Sequence, residues 1–510
     1  MKKGTPRVLG MIAAGSGLIL LLVMAGVWRE KRAVRLFRDA LIAGGEKLKL
    51  NELIPPYSAE AHQAAIELID AVSRLPSKLS VVLPNAPSKM RFVEPGRAMV
   101  GWRVADLRQE GKQTNHWGEL DAELRGAEPV LNEIRKLLKS PSFNWNLAYG
   151  QGFSLMMPHL AKLKQIVQWL ATATMNDLHA GRLNLALANH TALLQAVNSL
   201  QDEPLIVSQL VRAAYAAIAF TATWEALQAN GWTDPQLREM QASWEASRFV
   251  RDLERSLEME RAMCVEVFAR SRRSHSELHR HLAGVAPPET TARPVRSRQP
   301  RWVHEIAALS IDFARRLRTA GRDHLWQWVW SYGDEYHYLQ TVEVRLKALR
   351  ATEANWMLAG IQLPIDEDFM SPGRPDGVAP RHLFSTYLLS FLDRTLQRVR
   401  RIETQSELAV TAVALKRYRL RHERWPADLN ALVPEFLGQL PIDPMDGQAL
   451  RYRLNSHGSF TLYSVNADGK DNSGDPAPPK EMEKSHDFGN GRDMVWPMPA
   501  SAEEIKRLPR

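Results

Sequence analysis

The sequence predicts a mainly α-helical protein with three parts. These are an N-terminal transmembrane helix, a large helical body that forms a bundle or a solenoid, and a small C-terminal α+β module with a β-hairpin. Three observations support this fold class. An uncharged apolar run occupies residues 8–28, apolar residues recur at helical spacing through most of the chain, and short alternating apolar runs occur close to the C-terminus.

The composition is that of a large globular protein. The chain has 510 residues, of which 45% are hydrophobic and 24% are charged, and these values exclude a wholly disordered protein. A net charge of +9 predicts affinity for anionic surfaces but identifies no partner. Because Cys264 is the only cysteine, an internal disulfide framework and a thiolate zinc site are excluded.

Residues 1–28 are predicted to be a membrane anchor. The run from Val8 to Trp28 carries no charge and is long enough to cross a bilayer as a helix. A cleaved signal peptide is the alternative, but the apolar run is long for one and no clear Ala-x-Ala site follows it. The flanking charges favour a cytoplasmic body: Lys2, Lys3 and Arg7 precede the span, and Arg29, Lys31, Arg32, Arg35 and Arg38 follow it.

Residues 29–283 are predicted to form a helical domain, with nearly every segment helical. A helix is expected over His159–Ala180, because its apolar residues recur at helical spacing and a glycine follows. Acid–proline pairs at Glu203–Pro204 and Asp234–Pro235 predict two more helix starts, and the second of these helices is expected to run to about Arg270. Short connections between such helices are typical of a bundle or an α-solenoid.

The rest of the chain is divided by its composition. Residues 284–302 are rich in proline and arginine, which predicts a linker. A helical region follows over 303–405, and a long helix is expected from Leu383 to His422, ending before a Trp-Pro pair. Residues 406–499 are the predicted α+β module, in which alternating runs on both sides of Asn455–Gly458 predict a hairpin.

Catalytic and phosphate-binding motifs are absent from the sequence. GxSxG, GxxxxGK[ST] and a GxGxxG after a strand do not occur. His275 and His279 would share one face of a helix, with His281 nearby. However, the glutamate of the HExxH metalloproteases is missing, which favours a solvated helix end over a zinc site.

An aromatic run admits more than one interpretation: Trp326, Trp328, Trp330 and Tyr332 alternate along the chain. They fit a buried cluster, interfacial aromatics or a surface that stacks on sugars. Core packing is favoured because large aromatic residues mostly fill interiors. An open cleft with paired carboxylates would instead favour an enzyme that acts on envelope polymers such as polysaccharide or peptidoglycan.

The C-terminal region contains an ordered series of motifs. An ELAV helix is followed by KRYRLRHERWP, the LPIDPMDG turn, the predicted hairpin, the YSVNADGKD loop and RDMVW. In this order the region resembles the C-terminal domain of the major pseudopilin (protein G) of type II secretion systems. The matching residues are Tyr418, Trp425, Pro426, Leu440, Pro441, Asp443, Pro444, Gly447, Tyr452, Ser464, Asp468, Gly469, Asp493 and Trp496.

The resemblance implies that a calcium ion (Ca²⁺) binds in the loop after the hairpin. The family's loop holds calcium through side-chain and backbone oxygens, which suits a hard cation. Asp468 and Asp493 match the family's loop acids, and Asp471 and Asp475 are additional local carboxylates. The segment Pro476–Arg492 lengthens the stretch before Asp493, so the distance from Asp493 to the loop is an open question. The alternative is that these carboxylates cap a turn without metal.

Together these observations predict a structural or interaction protein rather than an enzyme. The resemblance implies that the bulk of the chain lies on the periplasmic side of the inner membrane, opposite to the side that the flanking charges favour. The family's prepilin peptidase site is missing, which argues against assembly into a pseudopilus. The expected partners are the membrane, through the N-terminal helix, and proteins of the envelope. Neither nucleic acid nor a small-molecule substrate is indicated.

Overall fold

The computed structural model describes residues 5–79, 90–105, 107, 115–278, 322–355, 382–456, 458–478 and 488–506. These residues are mainly helical and include two three-stranded sheets. The predicted linker at 284–302 lies outside the described residues, as do His279, His281 and residues 1–4 of the predicted anchor. The predicted helical region at 303–405 is described only in part.

The α-helices of the described residues are α1 (Thr5–Ala43), α2 (Ala59–Ser73), α3 (Trp117–Leu137), α4 (Pro158–His179), α5 (Leu183–Asn198), α6 (Ile206–Leu227), α7 (Asp234–Glu245), α8 (Phe249–Arg273), α9 (Ser331–Asn355), α10 (Leu383–His422) and α11 (Ala502–Lys506). A helical turn at Arg322–Leu325 and a π-helical turn at Trp326–Trp330 lead into α9. Short 3₁₀ turns lie at Leu50–Glu52, Gly101–Arg103, Tyr149–Ser154 and Leu429–Leu432.

The helical body is a bundle built around α6. This helix packs against α4, α5, α8 and α10, and its fully buried Ala216, Ala219 and Ala222 let neighbouring backbones approach closely. Among the residues whose side chains are described, which leave out residues 1–14 of the predicted anchor, α6 is the one helix that is long and apolar enough to cross a membrane. Of that apolar stretch, 72% is buried in the protein. The bundle therefore places its most apolar helix at the centre of its core.

Several predicted helix boundaries agree with the structure. The helix α10 begins at Leu383 and ends at His422, as the following Trp-Pro pair predicts. The helix α4 ends at His179, and Gly181 follows it at a φ of +71°, a conformation that glycine adopts without strain. The helix α7 begins at Asp234, where Thr233 and Gln236 form a capping box.

The single helix predicted to run to about Arg270 is wrong, because the chain forms α7 and α8 with a break at residues 246–248. The start of α8 is capped by a distant side chain. The amides of Phe249 and Val250 donate to Oε2 of Glu403 at 2.8 and 3.0 Å, and a carboxylate is favourable at a helix N-terminus. A cap supplied by α10 leaves no local signal at the break.

The helical body also contains a β-hairpin, which is an exception to the prediction that nearly every segment of residues 29–283 is helical. Strands β1 (Arg91–Glu94) and β2 (Arg97–Met99) pair in antiparallel. Pro95 and Gly96 form the turn between them, with Gly96 at a φ of +75°. The Pro-Gly dipeptide is a turn signal that was available in the sequence. Strand β6 (Met498–Pro499) adds to β2 in parallel.

The second sheet lies in the C-terminal region and confirms the predicted hairpin. Strand β3 (Arg451–Leu454) pairs with β4 (Phe460–Ser464) in antiparallel, from Arg451 opposite Tyr463 to Leu454 opposite Phe460. Strand β5 (Met494–Val495) pairs with the other edge of β4. A 3₁₀ turn at Leu429–Leu432 precedes this sheet.

The C-terminal region packs into the same core as the helical body. The predicted boundary between residues 405 and 406 falls inside α10, which is continuous. The ring of Phe220 in α6 lies 4.7 Å from that of Phe488 and 5.4 Å from that of Trp496. Nε1 of Trp224 donates to the carbonyl of Pro497 at 2.8 Å. The two regions are thus joined by buried aromatic side chains.

One helix connects the predicted anchor to the body. The helix α1 runs without interruption from Thr5 to Ala43, across the predicted boundary between residues 28 and 29. The side chains of Leu18–Met24 are 38–65% exposed, whereas Val34 and Leu41 are buried where α1 packs against α9. A continuous helix therefore carries an exposed apolar stretch at one end and is docked to the body at the other.

Candidate functional site

The LPIDP turn is held to the second sheet by one buried carboxylate. The Asp443 carboxylate, which is inaccessible to solvent, accepts hydrogen bonds from the amides of Met445 and Val465 at 2.9 and 3.0 Å and from Oγ of Ser464 at 2.8 Å. Arg451 lies 3.2 Å from the same carboxylate. Burial raises the pKa of Asp443. Asp443 therefore fixes the turn against β4.

The Trp-Pro pair after α10 packs against the hairpin. The ring of Trp425 meets that of Phe460 edge-on at 4.7 Å, and the guanidinium of Arg419 lies 4.7 Å from the Trp425 ring. The hydroxyl of Tyr452 donates to the carbonyl of Pro426 at 2.8 Å. The Tyr452–Pro426 hydrogen bond joins two residues that the resemblance identifies and that lie 26 positions apart.

The two ends of the inserted segment Pro476–Arg492 lie next to each other. The amide of Asp493 donates to the carbonyl of Asp475 at 3.0 Å, and the amide of Arg492 donates to the carbonyl of Ala477 at 2.9 Å. Residues 479–487, within this segment, lie outside the described residues. The insertion therefore does not separate Asp493 from the loop.

The Asp493 carboxylate organises the loop through backbone amides. Its Oδ2 accepts from the amides of Gly474 and Asp475 at 2.7 and 3.1 Å, and its Oδ1 accepts from the amide of Asn472 at 3.3 Å. The residue is buried. Burial raises the pKa of Asp493, the three amides act in the opposite direction, and the nearby charge of Asp471 adds to the rise.

The other three predicted metal ligands have different surroundings. Asp471 accepts from the hydroxyl of Tyr463 at 3.0 Å, and Asp475 pairs with Arg492 at 2.9 Å. Asp468 is exposed and accepts from the amide of Lys470 at 3.1 Å. Asp471 also lies 3.7 Å from Nε of Arg451, and its charge acts on Asp493.

Asn466 is a loop residue that the sequence analysis did not single out. Its Nδ2 donates to the carbonyls of Gly489 and Gly491 at 3.0 and 2.6 Å, so it ties the loop to the returning segment. Its Oδ1 is buried and has no hydrogen-bond donor among the described residues. The backbone of Asn466 is left-handed, with a φ of 59°, a conformation in which asparagine is enriched.

The loop offers calcium carboxylate and amide oxygens, but not a complete set of side-chain ligands. The charge of Asp471 acts on Asp493 and raises its pKa, and Asn466 Oδ1 is an oxygen without a donor among the described residues. These are the ligand types that calcium prefers. However, no three His, Cys, Asp or Glu side chains within the described ranges are placed to share one metal ion. Calcium here would need backbone oxygens to complete its coordination.

The aromatic run divides between the core and the surface. Trp326 is fully buried and donates through Nε1 to Oδ2 of Asp334 at 2.7 Å. Trp328 is 74% exposed, and Trp330 is half-buried. The Asp334 carboxylate also accepts from the amides of Phe384 and Ser385 at 2.8 and 3.0 Å, so it caps the start of α10. This carboxylate therefore has a structural role, and a buried Trp326 does not line an open cleft.

Two sets of ion pairs dock α1 onto the body. The carboxylate of Glu335 in α9 is inaccessible to solvent and lies between Arg38 of α1 and Arg272 of α8, with the Arg272 contact at 2.6 Å. Beyond the end of α1, Glu46 pairs with Arg261 and Arg350, each at 2.5 Å. Arg350 also contacts Glu254 and Glu258, and Arg261 contacts Glu343.

A concave surface of about 660 Å³ lies where the C-terminal region meets α6, α7 and α10, lined by aromatic and basic side chains. Lys416 donates through Nζ to the carbonyls of Leu227 and Ala229 at 2.5 and 2.9 Å, so it neutralises the carbonyl end of α6. Burial lowers the pKa of Lys416 to about 8. Trp425 and Phe460 form the wall on the side of the C-terminal region.

Comparisons of this chain with protein families, curated proteins and solved structures found no match. The resemblance of the C-terminal region to the major pseudopilin therefore stays a prediction that rests on the ordered motifs.

Proposed function

We propose that this chain is a membrane-anchored, extracytoplasmic structural or interaction protein of the cell envelope. In this proposal α1 crosses the membrane, the helical bundle is the scaffold, and the pseudopilin-like C-terminal region offers a contact surface to protein partners. The observation that carries the proposal is the two-part α1. Its Leu18–Met24 stretch is exposed although apolar, whereas its C-terminal part is fixed to the body.

The ion pairs at α1 support a rigid connection between anchor and scaffold. Glu335 joins α1, α8 and α9 through two arginines. Glu46 joins the segment after α1 to the same two helices through Arg261 and Arg350. Partly buried ion pairs of this kind fix the relative position of helices more strongly than exposed pairs do. A body docked in this way would keep a fixed orientation relative to the bilayer.

The contact surface is best supported at the junction of the two regions. The concave surface there combines the rings of Trp425 and Phe460 with the basic Arg103 and Arg419. Aromatic and arginine side chains are the residue types that most often dominate protein interfaces. Leu420 of α10, which also lines this surface, is 50% exposed.

The anchorage and the side of the membrane are tested by two measurements on the full chain. After alkaline carbonate extraction, the protein should stay with the membrane fraction, and its release into the supernatant would overturn the anchorage. In spheroplasts, added protease should digest the body while a cytoplasmic marker protein stays intact. Full protection of the body would instead place it in the cytoplasm, on the side favoured by the charges that flank the span.

We propose also that calcium stabilises the loop of the C-terminal region. The support is the pair of carboxylates at Asp471 and Asp493 together with the free oxygen of Asn466. Because this region shares a core with the bundle, the full chain is the proper sample. At a calcium concentration 100 times its dissociation constant, the folded state should gain about 2.7 kcal/mol relative to chelator. Equal melting temperatures with calcium and with chelator would remove this proposal.

A further inference from the structure

A basic groove lies directly beyond the exposed apolar stretch of α1. It has a volume of about 670 Å³ and is formed by α1, the end of α8 and the start of α9. Its basic side chains are Lys31, Arg32, Arg35, Arg38, Arg272 and Arg273, and among the described residues its only lining carboxylate is that of Asp39. The groove therefore concentrates positive charge at one end of the apolar stretch.

Four of these six cations have no acidic partner in the described structure. Glu335 lies against Arg38 and Arg272 and so offsets part of their charge. Lys31, Arg32, Arg35 and Arg273 make no ion pair within the described residues. Because like charges that share a concave surface repel one another, an anion that enters the groove would relieve that repulsion.

Aromatic rings position several of the cations. The guanidinium of Arg32 lies 5.6 Å from the ring of Trp28. The ring of Tyr332 lies 4.4 Å from the guanidinium of Arg272 and 5.9 Å from Nζ of Lys31. Cation–π contacts of this kind hold charged side chains in place. Tryptophan and tyrosine are also the residues that favour the membrane–water interface.

The position along α1 matches the headgroup layer of a bilayer. A helix rises about 1.5 Å per residue, so Lys31 lies about 5 Å and Arg35 about 10 Å beyond Trp28. The headgroup layer extends about 5–8 Å beyond the hydrocarbon on each side, and arginine side chains can reach back toward it. If Trp28 marks the edge of the hydrocarbon, the groove opens at the depth of lipid phosphates.

We propose that this groove binds the phosphate headgroup of an anionic phospholipid in the adjacent leaflet. The inference rests on the proposed anchorage of α1. Arginine suits this ligand because its planar guanidinium can donate two parallel hydrogen bonds to one phosphate. The bound lipid would supply the negative charge that Lys31, Arg32, Arg35 and Arg273 lack.

The test uses the full chain in a neutral detergent, titrated with phosphatidylglycerol or phosphatidylcholine and followed by native mass spectrometry. The unmodified protein should bind phosphatidylglycerol at least about tenfold more tightly than phosphatidylcholine. The double variant Arg35→Gln with Arg273→Gln should lose most of that preference, since each basic residue near a membrane surface contributes about fivefold. Equal affinity for the two lipids would overturn the proposal.

A matched control is available at the opposite end of α8. Arg251 and Arg255 are exposed arginines on the same helix as Arg273, each beside an aspartate. Arg251→Gln with Arg255→Gln should keep the lipid preference, and its loss would show that total charge rather than the groove is responsible. Displacement of the lipid by millimolar inorganic phosphate would also overturn a lipid site.

Different results would show that the lipid site is wrong and that the membrane anchor is wrong. If carbonate releases the full chain from membranes, the anchorage is wrong. If the double variant stays in the membrane and still prefers phosphatidylglycerol, the anchorage stands and the groove is not the lipid site. The double variant Arg35→Gln with Arg273→Gln leaves Glu335 and its two arginines unchanged, so we expect it to fold. A melting temperature equal to that of the unmodified protein would confirm this.

Discussion

The docked part of α1 and the C-terminal region both depend on buried carboxylates, but they use them differently. At α1 the carboxylates of Glu335 and Glu46 face arginines from other helices. In the C-terminal region the carboxylates of Asp443 and Asp493 mainly face backbone amides of nearby turns. The first arrangement joins elements that are distant in sequence, and the second gives a loop its shape.

The difference has an electrostatic consequence. An arginine partner supplies a full positive charge, and at Glu46 the arginines outweigh burial, so its pKa is lowered. Backbone amides supply only partial charges, and burial prevails at Asp443 and Asp493, whose pKa values are raised. The lowered pKa of Glu46 and the raised pKa values of Asp443 and Asp493 thus distinguish these three carboxylates by their partners.

The largest expected effect comes from removing an arginine-facing carboxylate. Glu335→Gln would leave Arg38 and Arg272 beside a neutral amide at a position where the carboxylate itself is inaccessible to solvent. Breaking a buried pair in this way costs about 3–5 kcal/mol. Urea unfolding of the full chain in detergent measures this loss.

The control for this prediction is an exposed pair. Glu133 and Arg74 pair at 2.5 Å, but each side chain is nearly half exposed. Glu133→Gln should cost less than about 1 kcal/mol. Equal losses in the two variants would show that burial does not distinguish these ion pairs.

A smaller effect is expected where a carboxylate faces amides. Asp493→Ala would leave the amides of Asn472, Gly474 and Asp475 without their acceptor, and the free energy of unfolding should fall by about 2 kcal/mol. The exposed Asp468 of the same loop provides the comparison, because Asp468→Ala should change it by less than about 0.5 kcal/mol. If Asp493→Ala and Asp468→Ala lower the free energy of unfolding equally, Asp493 does not organise the loop.

The last contrast concerns pH and again separates the two arrangements. Glu225 accepts the amide of Gly101 with both oxygens, at 2.9 and 3.0 Å, and burial raises its pKa to about 8. The folded state therefore holds a proton that the unfolded state releases near pH 4.5. The stability from this group is complete below that pH and is lost as the pH rises toward 8, by up to about 1.4 kcal/mol per pH unit.

Two variants that replace a glutamate by neutral glutamine test the direction in which stability changes with pH. Glu225→Gln should flatten the decline of stability between pH 5 and 8, measured by thermal melts across that range. The lowered pKa of Glu46 means that its contribution is lost only when the pH falls below the ordinary range of a glutamate. Glu46→Gln should therefore leave the slope between pH 5 and 8 unchanged, and a flattening in that variant would contradict the comparison.

Local signals predicted the elements that local interactions determine. The bounds of α10 followed from its apolar spacing and the Trp-Pro pair, and the β3–β4 hairpin followed from its alternating runs. The four predicted ligands, Asp468, Asp471, Asp475 and Asp493, all follow the hairpin in the sequence. Whether Asp493 would reach the others depended on the path of an insertion, which no local pattern reveals.

Features that depend on tertiary contacts were not predictable. The break between α7 and α8 is stabilised by Glu403, a residue of α10. The role of Asn466 depends on the carbonyls of Gly489 and Gly491, which the chain brings back from beyond the loop. In both cases the deciding partner lies far along the sequence, and a single sequence does not show which distant residues meet.

The parallel pairing of β6 with β2 has a consequence for the order in which the protein matures. Met498–Pro499 completes a sheet begun at Arg91–Met99, and Arg97 meets Glu504, which lies 407 residues later in the chain. Domains fold as the chain is synthesised, beginning at the N-terminus. The open edge of the first hairpin is therefore covered only after residues about 400 positions later have been synthesised.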